Sequence, residues 1–354
     1  LQFAWNNYEA MEQAFLLNTT PEFEMAIYTV CALTGGSCQF TVNGYGVQIT
    51  AATLTSSGIT VIDQCVPTEG GSSAATTKKP TATTKKTGTN DPQLQTLVNQ
   101  MRAADVDKPD PSDYTLDWGN KVSGNKDTSP NPLFKKMNEA VFQKPVYQVL
   151  LDIINNNLFT ADVCTAEAAM SGFKKSTIQK AFTTWTSTQV FTLAFNYLKE
   201  KGVPQATDMN TLTNFLFNFW TGTYSRCGST LGSSGFEHVF SGEWKSGTVD
   251  GQHDWTRYYF LEKADKINYH GYDSYDGQLT GTFQYTWETE LKQTGGFLFG
   301  TSPAFDFSLL TVCALVHPGA NTCKFTLDGY QLAVTSYTQS CAAGTCLATA
   351  YPTN

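Results

Sequence analysis

The first 77 residues contain no lysine, arginine or histidine. They hold six carboxylates, so this stretch carries −6 of the chain's net charge of −8 and leaves only −2 for the other 277 residues. A segment without cations cannot grip a phosphate backbone. An acidic chain likewise has no bulk attraction for nucleic acid, so any such contact needs a local cluster of cations. Long apolar runs are missing too. No stretch of 18 apolar residues occurs, and no membrane-spanning helix is expected. None of the nine cysteines forms a CxxC pair, which argues against a zinc knuckle. Neither GxSxG nor HExxH is present, which argues against a serine hydrolase and a zinc protease. Histidine is scarce: His238, His253, His270 and His317 are the only four in 354 residues.

What is present describes a globular protein, 41% hydrophobic and 13% aromatic with 15% charge. The chain begins at Leu1 with no basic segment ahead of an apolar core, so any signal peptide is expected to have been removed or never included. Close pairs such as Cys31/Cys38 and Cys341/Cys346 suit short disulfide loops, and Asn18-Thr19-Thr20 is a glycosylation sequon. Together these predict a secreted or secretory-pathway protein.

Residues 68–90 are Thr, Ser, Gly and Lys with no large apolar side chain, and read as a flexible linker. Residues 91–229 read as a helical lobe: Val146, Val149, Leu150 and Ile153 recur at helical spacing, as do Ile178, Phe182 and Trp185. Gly202 after Lys199 and Lys201 reads as a helix stop. Residues 230–354 read as mostly antiparallel strands, with Asp328-Gly329 a tight hairpin turn and a helix opening at Ser302-Pro303. The fold class is α+β.

The chain also repeats itself. Residues 1–33 align without a gap to 283–315 with twelve identities, and the run from Cys38 matches that from Cys323 after a three-residue gap. Residues 1–67 are therefore expected to be a partial copy of the chain's end: a strand, a helix over 21–33 and a hairpin at Asn43-Gly44. Lys292 falls on Ala10, Ser336 on Ala51 and Tyr337 on Ala52. The copy is expected to be inert, and the chain to be cut from a longer protein. The six cysteines from Cys164 onward allow fifteen pairings. The repeat favours Cys31–Cys38 and Cys313–Cys323, leaving Cys341–Cys346, Cys164–Cys227 and an unpaired Cys65.

His238 in "SGFEHVFSGEW" and His253 in "GQHDW" sit fifteen residues apart in Gly- and Ser-rich runs, each beside a carboxylate, Glu237 or Asp254. Both are expected on exposed turns between strands, where catalytic groups tend to lie. Two imidazoles can serve as base and acid in one reaction. With a nearby cation, this chemistry suits RNA cleavage by the substrate's own 2′-hydroxyl.

These motifs resemble the EndoU family, the uridylate-specific endoribonucleases related to placental protein 11. The likeness runs through residues 91–354, in "AADVDKPDPSDYTLDWGNK", "YSRCGSTLGSSGFEHVFSGE", "TGGFLFGTSPAFDFSLLTVCAL" and "CLATAY" in order. It implies a helical lobe followed by a two-sheet catalytic lobe with the site between the sheets. By position, the resemblance makes His238, His253 and Lys292 catalytic; spacing does not decide which imidazole is base and which acid, and His253 is taken as the base and His238 as the acid. It makes Ser336 and Tyr337 the pair that faces uracil, and Glu237 and Glu243 acidic residues tied to manganese. The implied substrate is single-stranded, uridine-containing RNA, left with 2′,3′-cyclic phosphate ends. A non-cleaving RNA-binding or protein-interaction module of the same fold is the alternative. Asp254 stands where Asn is common and Ser336 where Thr is common.

Overall fold

The computed structural model describes residues 3–5, 8–10, 21–33, 37–42, 45–56, 59–69 and 91–353. The chain forms two compact units, divided near residue 85.

In the smaller unit Phe3–Trp5 pairs with Tyr8–Ala10, and the helix Pro21–Leu33 precedes a three-stranded antiparallel sheet of Ser37–Val42, Tyr45–Ser56 and Ile59–Glu69. Trp5 pairs with Tyr8 as Trp287 pairs with Glu290, so the repeat is structural as well as sequential. Val42 pairs with Tyr45; the expected turn residues between them, Asn43 and Gly44, lie outside the described residues. So do residues 70–90, most of the expected linker.

The larger unit begins with helices. Asp91 caps Pro92–Ala104 by accepting from the N–H groups of Gln93 and Leu94. The helices Pro145–Asn155, Gly172–Thr186, Gln189–Glu200 and Met209–Thr221 follow, and each buries its apolar stripe. They surround Pro303–Val316, a helix buried from Pro303 through Ala314. Phe307 at its centre meets Phe182, Trp185, Phe191 and Trp220, with ring centroids 5.1–5.9 Å apart. Truncating such a residue to Ala costs about 3–5 kcal/mol.

Beside a two-stranded pairing of Tyr114–Leu116 with Phe134–Met137, two larger sheets complete the unit. The larger runs Ile267–Asp276, Thr280–Trp287, Glu290–Gly295, Thr248–Val249, Trp244–Lys245, antiparallel except where Leu291 meets Thr248. The smaller is the antiparallel meander Gly319–Leu327, Tyr330–Cys341, Gly344–Thr353. Asp328 (φ 49°) and Gly329 (φ 89°) make the first hairpin as expected, both in the left-handed region a type I′ turn requires.

The disulfides are Cys31–Cys38, Cys164–Cys227, Cys313–Cys323 and Cys341–Cys346, with Cys65 free. Cys164–Cys227 closes 63 residues, worth about 4 kcal/mol on the chain-entropy account. It also anchors the segment that carries Arg226.

Candidate active site

A cleft of about 590 Å³ collects His238, His253, Lys292, Arg226, Asp250 and, from the smaller sheet, Tyr337, Thr349 and Tyr351. Contrary to the exposed turns expected for them, both histidines are buried. His238 lies in a one-turn helix, Glu237–Ser241. His253 lies just ahead of the helix Trp255–Lys263, which Asp254 caps by accepting from the Arg257 N–H at 2.8 Å.

The two histidine segments are bonded to each other through their backbones. The His238 carbonyl accepts from the Gln252 N–H at 2.6 Å, and the Val239 carbonyl from the His253 N–H at 2.8 Å. This approach explains Gly251, where any Cβ would collide with the His238 carbonyl oxygen and crowd its Cα. Gln252, at φ 92°, is pinned by Tyr285, which donates to its Oε1 at 3.0 Å. The outcome is two imidazoles with centroids 5.3 Å apart.

Each ring is oriented through Nδ1. His253 Nδ1 is 3.0 Å from the Gly296 carbonyl. A carbonyl only accepts, so Nδ1 carries the proton and Nε2 keeps its lone pair. His238 Nδ1 is 2.8 Å from Glu243 Oε1, and Arg226 Nε holds the same oxygen at 2.9 Å. Arg226 is steadied in turn by Ser233 Oγ and the Ala348 carbonyl. The carboxylate neighbour that serves His238 is therefore Glu243, five residues on, and not the adjacent Glu237.

Burial, aided by Lys292, holds both imidazoles well below their ordinary range, so both are neutral at pH 7. Burial pushes Glu243 up to about 7 against the pull of Arg226. It also lowers Lys292 to about 8, leaving it protonated at neutral pH. Lys292 stands opposite Tyr285 in the larger sheet and donates to the Asp250 and Gly251 carbonyls at 2.8 and 3.2 Å. It thus clasps the loop that carries His253.

The expected uracil pair divides. Tyr337 lines the cleft and is 47% exposed. Ser336, its neighbour on the same strand, points to the opposite face, is 0% exposed, and its hydroxyl has no hydrogen bond among the described residues. The cleft instead receives Thr349, directly across from Tyr337, and Tyr351, whose ring stacks on His253 at 4.9 Å. Thr349 Oγ1 is buried and has no hydrogen-bond partner among the described residues. The signal for this pair lay in "LATAY": residues two apart on a strand share a face.

Glu237 is 0% exposed, neither of its oxygens is hydrogen-bonded among the described residues, and it does not line the cleft. Burial, with the like charges of Glu167 and Glu243, drives its carboxyl well up. Among the described residues no group of three or more His, Cys, Asp or Glu side chains could hold a metal ion. Glu243 is already engaged by His238 and Arg226, so Glu237 and Glu243 do not make a fitting manganese site. His270 and His317 lie outside the cleft, bonded to Gln284 and Tyr197 respectively.

The model of the endoribonuclease XendoU family matches residues 1–67 and 93–352. The chain belongs to this family. The two matched stretches are the two units described above. Uridylate-specific endoribonucleases from Bos taurus and Homo sapiens are each 32% identical over 266 residues, 70% of this chain. The chain spans about 60% of their length. Uridylate-specific endoribonuclease D of Xenopus laevis is 33% identical over 260 residues and 82% covered. The solved structure of XendoU, described as a splicing-independent snoRNA-processing endoribonuclease, superposes with a TM-score of 0.63 at 26% identity, over 75% of this chain and 98% of that one.

Proposed function

We propose that this chain is an endoribonuclease that cuts single-stranded RNA on the 3′ side of uridines. The observation that carries the proposal is the pair of neutral imidazoles beside Lys292 in one cleft, each with Nδ1 tied back and Nε2 left for substrate. In the reaction His253 Nε2 takes the proton of the uridine 2′-hydroxyl, whose oxygen attacks the adjacent phosphorus. The bond from phosphorus to the 5′ oxygen of the next nucleotide breaks, and His238 delivers a proton to that oxygen. The products are a 2′,3′-cyclic phosphate and a free 5′-hydroxyl.

The orienting partners support this division of labour. His253 leans on a neutral carbonyl, which leaves it a ready base, whereas Glu243 can steady a positive charge on His238. The bound phosphate supplies the negative charge that draws a proton onto His238. Lys292 and Arg226 offset the charge that builds on the phosphate. Tyr337 and Tyr351 offer faces for stacking, worth about 1–3 kcal/mol per base. Thr349 Oγ1 offers an unspent hydrogen bond to the uracil edge.

Manganese enters as a stimulant to be tested by titration, and no step passes through it. The four disulfides support a secretory setting. The deciding experiment uses a short RNA with one uridine. The proposal expects a single cut with a cyclic phosphate end, and no cut when that uridine lacks its 2′-hydroxyl. A 5′-phosphate product, or cleavage of the deoxy substrate, would remove the mechanism.

A further inference from the structure

The cleft continues past Tyr351 to residues that the reaction above does not use. Thr349, Tyr351 and Thr353 alternate along one strand and all line the cleft. Thr353 therefore lies about 6.6 Å beyond Tyr351 on the same face, roughly one nucleotide further along an extended strand. Beside it, Asn321 also lines the cleft.

The Asn321 amide is held in one orientation. Its backbone N–H donates to Thr335 Oγ1 at 3.0 Å, which leaves the Thr335 hydroxyl proton to donate back to Asn321 Oδ1 at 3.1 Å. Thr353 Oγ1 stands 2.6 Å from the same Oδ1 and 3.2 Å from the Ala333 carbonyl, and the shorter contact takes its one proton. The carbonyl end of the amide is filled by two hydroxyls. The Nδ2 group makes no hydrogen bond among the described residues, and both its protons remain for the cleft. Asn321 also has φ 54°, and Asn is one of the few residues that tolerates this backbone. An asparagine at a strand irregularity needs only the backbone, however, and gains nothing from two threonines clamped on its side chain.

We propose that Asn321, held by Thr335 and Thr353, forms a second nucleotide subsite, in which Nδ2 donates to an oxygen acceptor of the nucleotide next to the cleaved uridine. The inference rests on the RNA-cleavage proposal above and adds to it the residue that senses the flanking position.

The test is binding by the full chain of two probes: a trinucleotide with a central 2′-deoxyuridine, and 2′-deoxyuridine 3′-monophosphate alone. The variants are Asn321→Gly, which keeps the backbone conformation and removes the amide, and Asn321→Asp, which replaces the donor with a carboxylate. Asn321→Gly should weaken the trinucleotide about threefold to tenfold, the worth of one hydrogen bond, with the mononucleotide held within twofold. Asn321→Asp should weaken the trinucleotide further by repelling its phosphates. A trinucleotide without flanking bases locates the acceptor: a loss that persists assigns it to phosphate or ribose, a loss that vanishes assigns it to the base. Equal trinucleotide affinity in wild type and Asn321→Gly, or an equal loss on both probes, would overturn the subsite. If the wild type binds the trinucleotide yet leaves uridine RNA uncut, the cleavage proposal fails while the subsite stands on its own binding data. Failure of the wild type to bind either probe removes both.

Discussion

Glu243→Gln should separate stability from activity, and the structure sets the size of each effect. Glu243 is fully buried, and its Oε1 pairs with His238 Nδ1 at 2.8 Å and lies 2.9 Å from the charged Arg226 Nε. Burial moves its carboxyl from 4.5 to about 7. The folded value is thus above the unfolded one, and the unfolded chain ionises first as pH rises. Stability present below about 4.5 is lost progressively as pH rises to about 7. At about 1.4 kcal/mol per pK unit, this group costs the folded state about 3 kcal/mol above pH 7. Glutamine fills the same space but does not titrate. The stability of Glu243→Gln relative to wild type should therefore rise by about 3 kcal/mol between pH 4.5 and pH 8, measured by urea unfolding at each pH. Cleavage at pH 7 should fall on the order of 10²-fold, because the amide cannot stabilise an imidazolium at His238 and can turn its N–H toward Nδ1. Parallel stability curves, with the difference moving by less than about 1 kcal/mol, would refute the buried-carboxylate account. Cleavage within threefold of wild type would refute the positioning of His238 by Glu243.

Three further outcomes follow from the same geometry. The alkaline limb of kcat/KM should fall near pH 8, because the protonated form of Lys292 meets the phosphate and burial brings its pKa to about 8; a profile flat to pH 10 would remove Lys292 from that role. Tyr337→Ala and Thr349→Val should reduce the preference for uridine about tenfold, the value of one stacking or hydrogen-bonding contact, whereas Ser336→Ala should leave it intact, since Ser336 faces away from the cleft; competition among the four single-base substrates reads all three. Deleting residues 1–90 should leave cleavage within about twofold, because the copy carries alanine at 10, 51 and 52 where Lys292, Ser336 and Tyr337 stand; loss of activity in a truncated protein that still folds would show that the copy serves the site.

Elements governed by neighbours in sequence were legible. The helix Gln189–Glu200 ends where Lys199, Lys201 and Gly202 predict, and Gly202 takes φ 74°. Asp328-Gly329 turns its hairpin because only a few residue types accept positive φ at both positions. Cys313–Cys323 formed as the repeat favoured. What could not be read locally was decided by pairing across the chain. Arg226 and His238 meet at their shared partner Glu243, and a disulfide to Cys164 holds the Arg226 segment in place. The error at Ser336 has a simple physical source. Two adjacent residues on a strand cannot both face one ligand, and period-two alternation selects Thr349 with Tyr351 while leaving Tyr337 without Ser336.

The burial of the histidines carries the deeper lesson. Glycine-rich sequence around both suggested exposed turns, because glycine marks loops. Here glycine has the opposite consequence. Gly251 lets the His253 segment close onto the His238 backbone, and both rings lie buried beside that closure. An exposed imidazole with a pKa near 6.5 would be partly protonated at neutral pH, and two of them would repel each other beside Lys292. Burial settles the conflict by lowering both. The pair then waits neutral until an anionic phosphate arrives to favour a proton on one ring. The missing side chain at position 251 is therefore part of how the site sets its charge: any larger residue there would part the two segments, admit water and raise the resting pKa of both histidines.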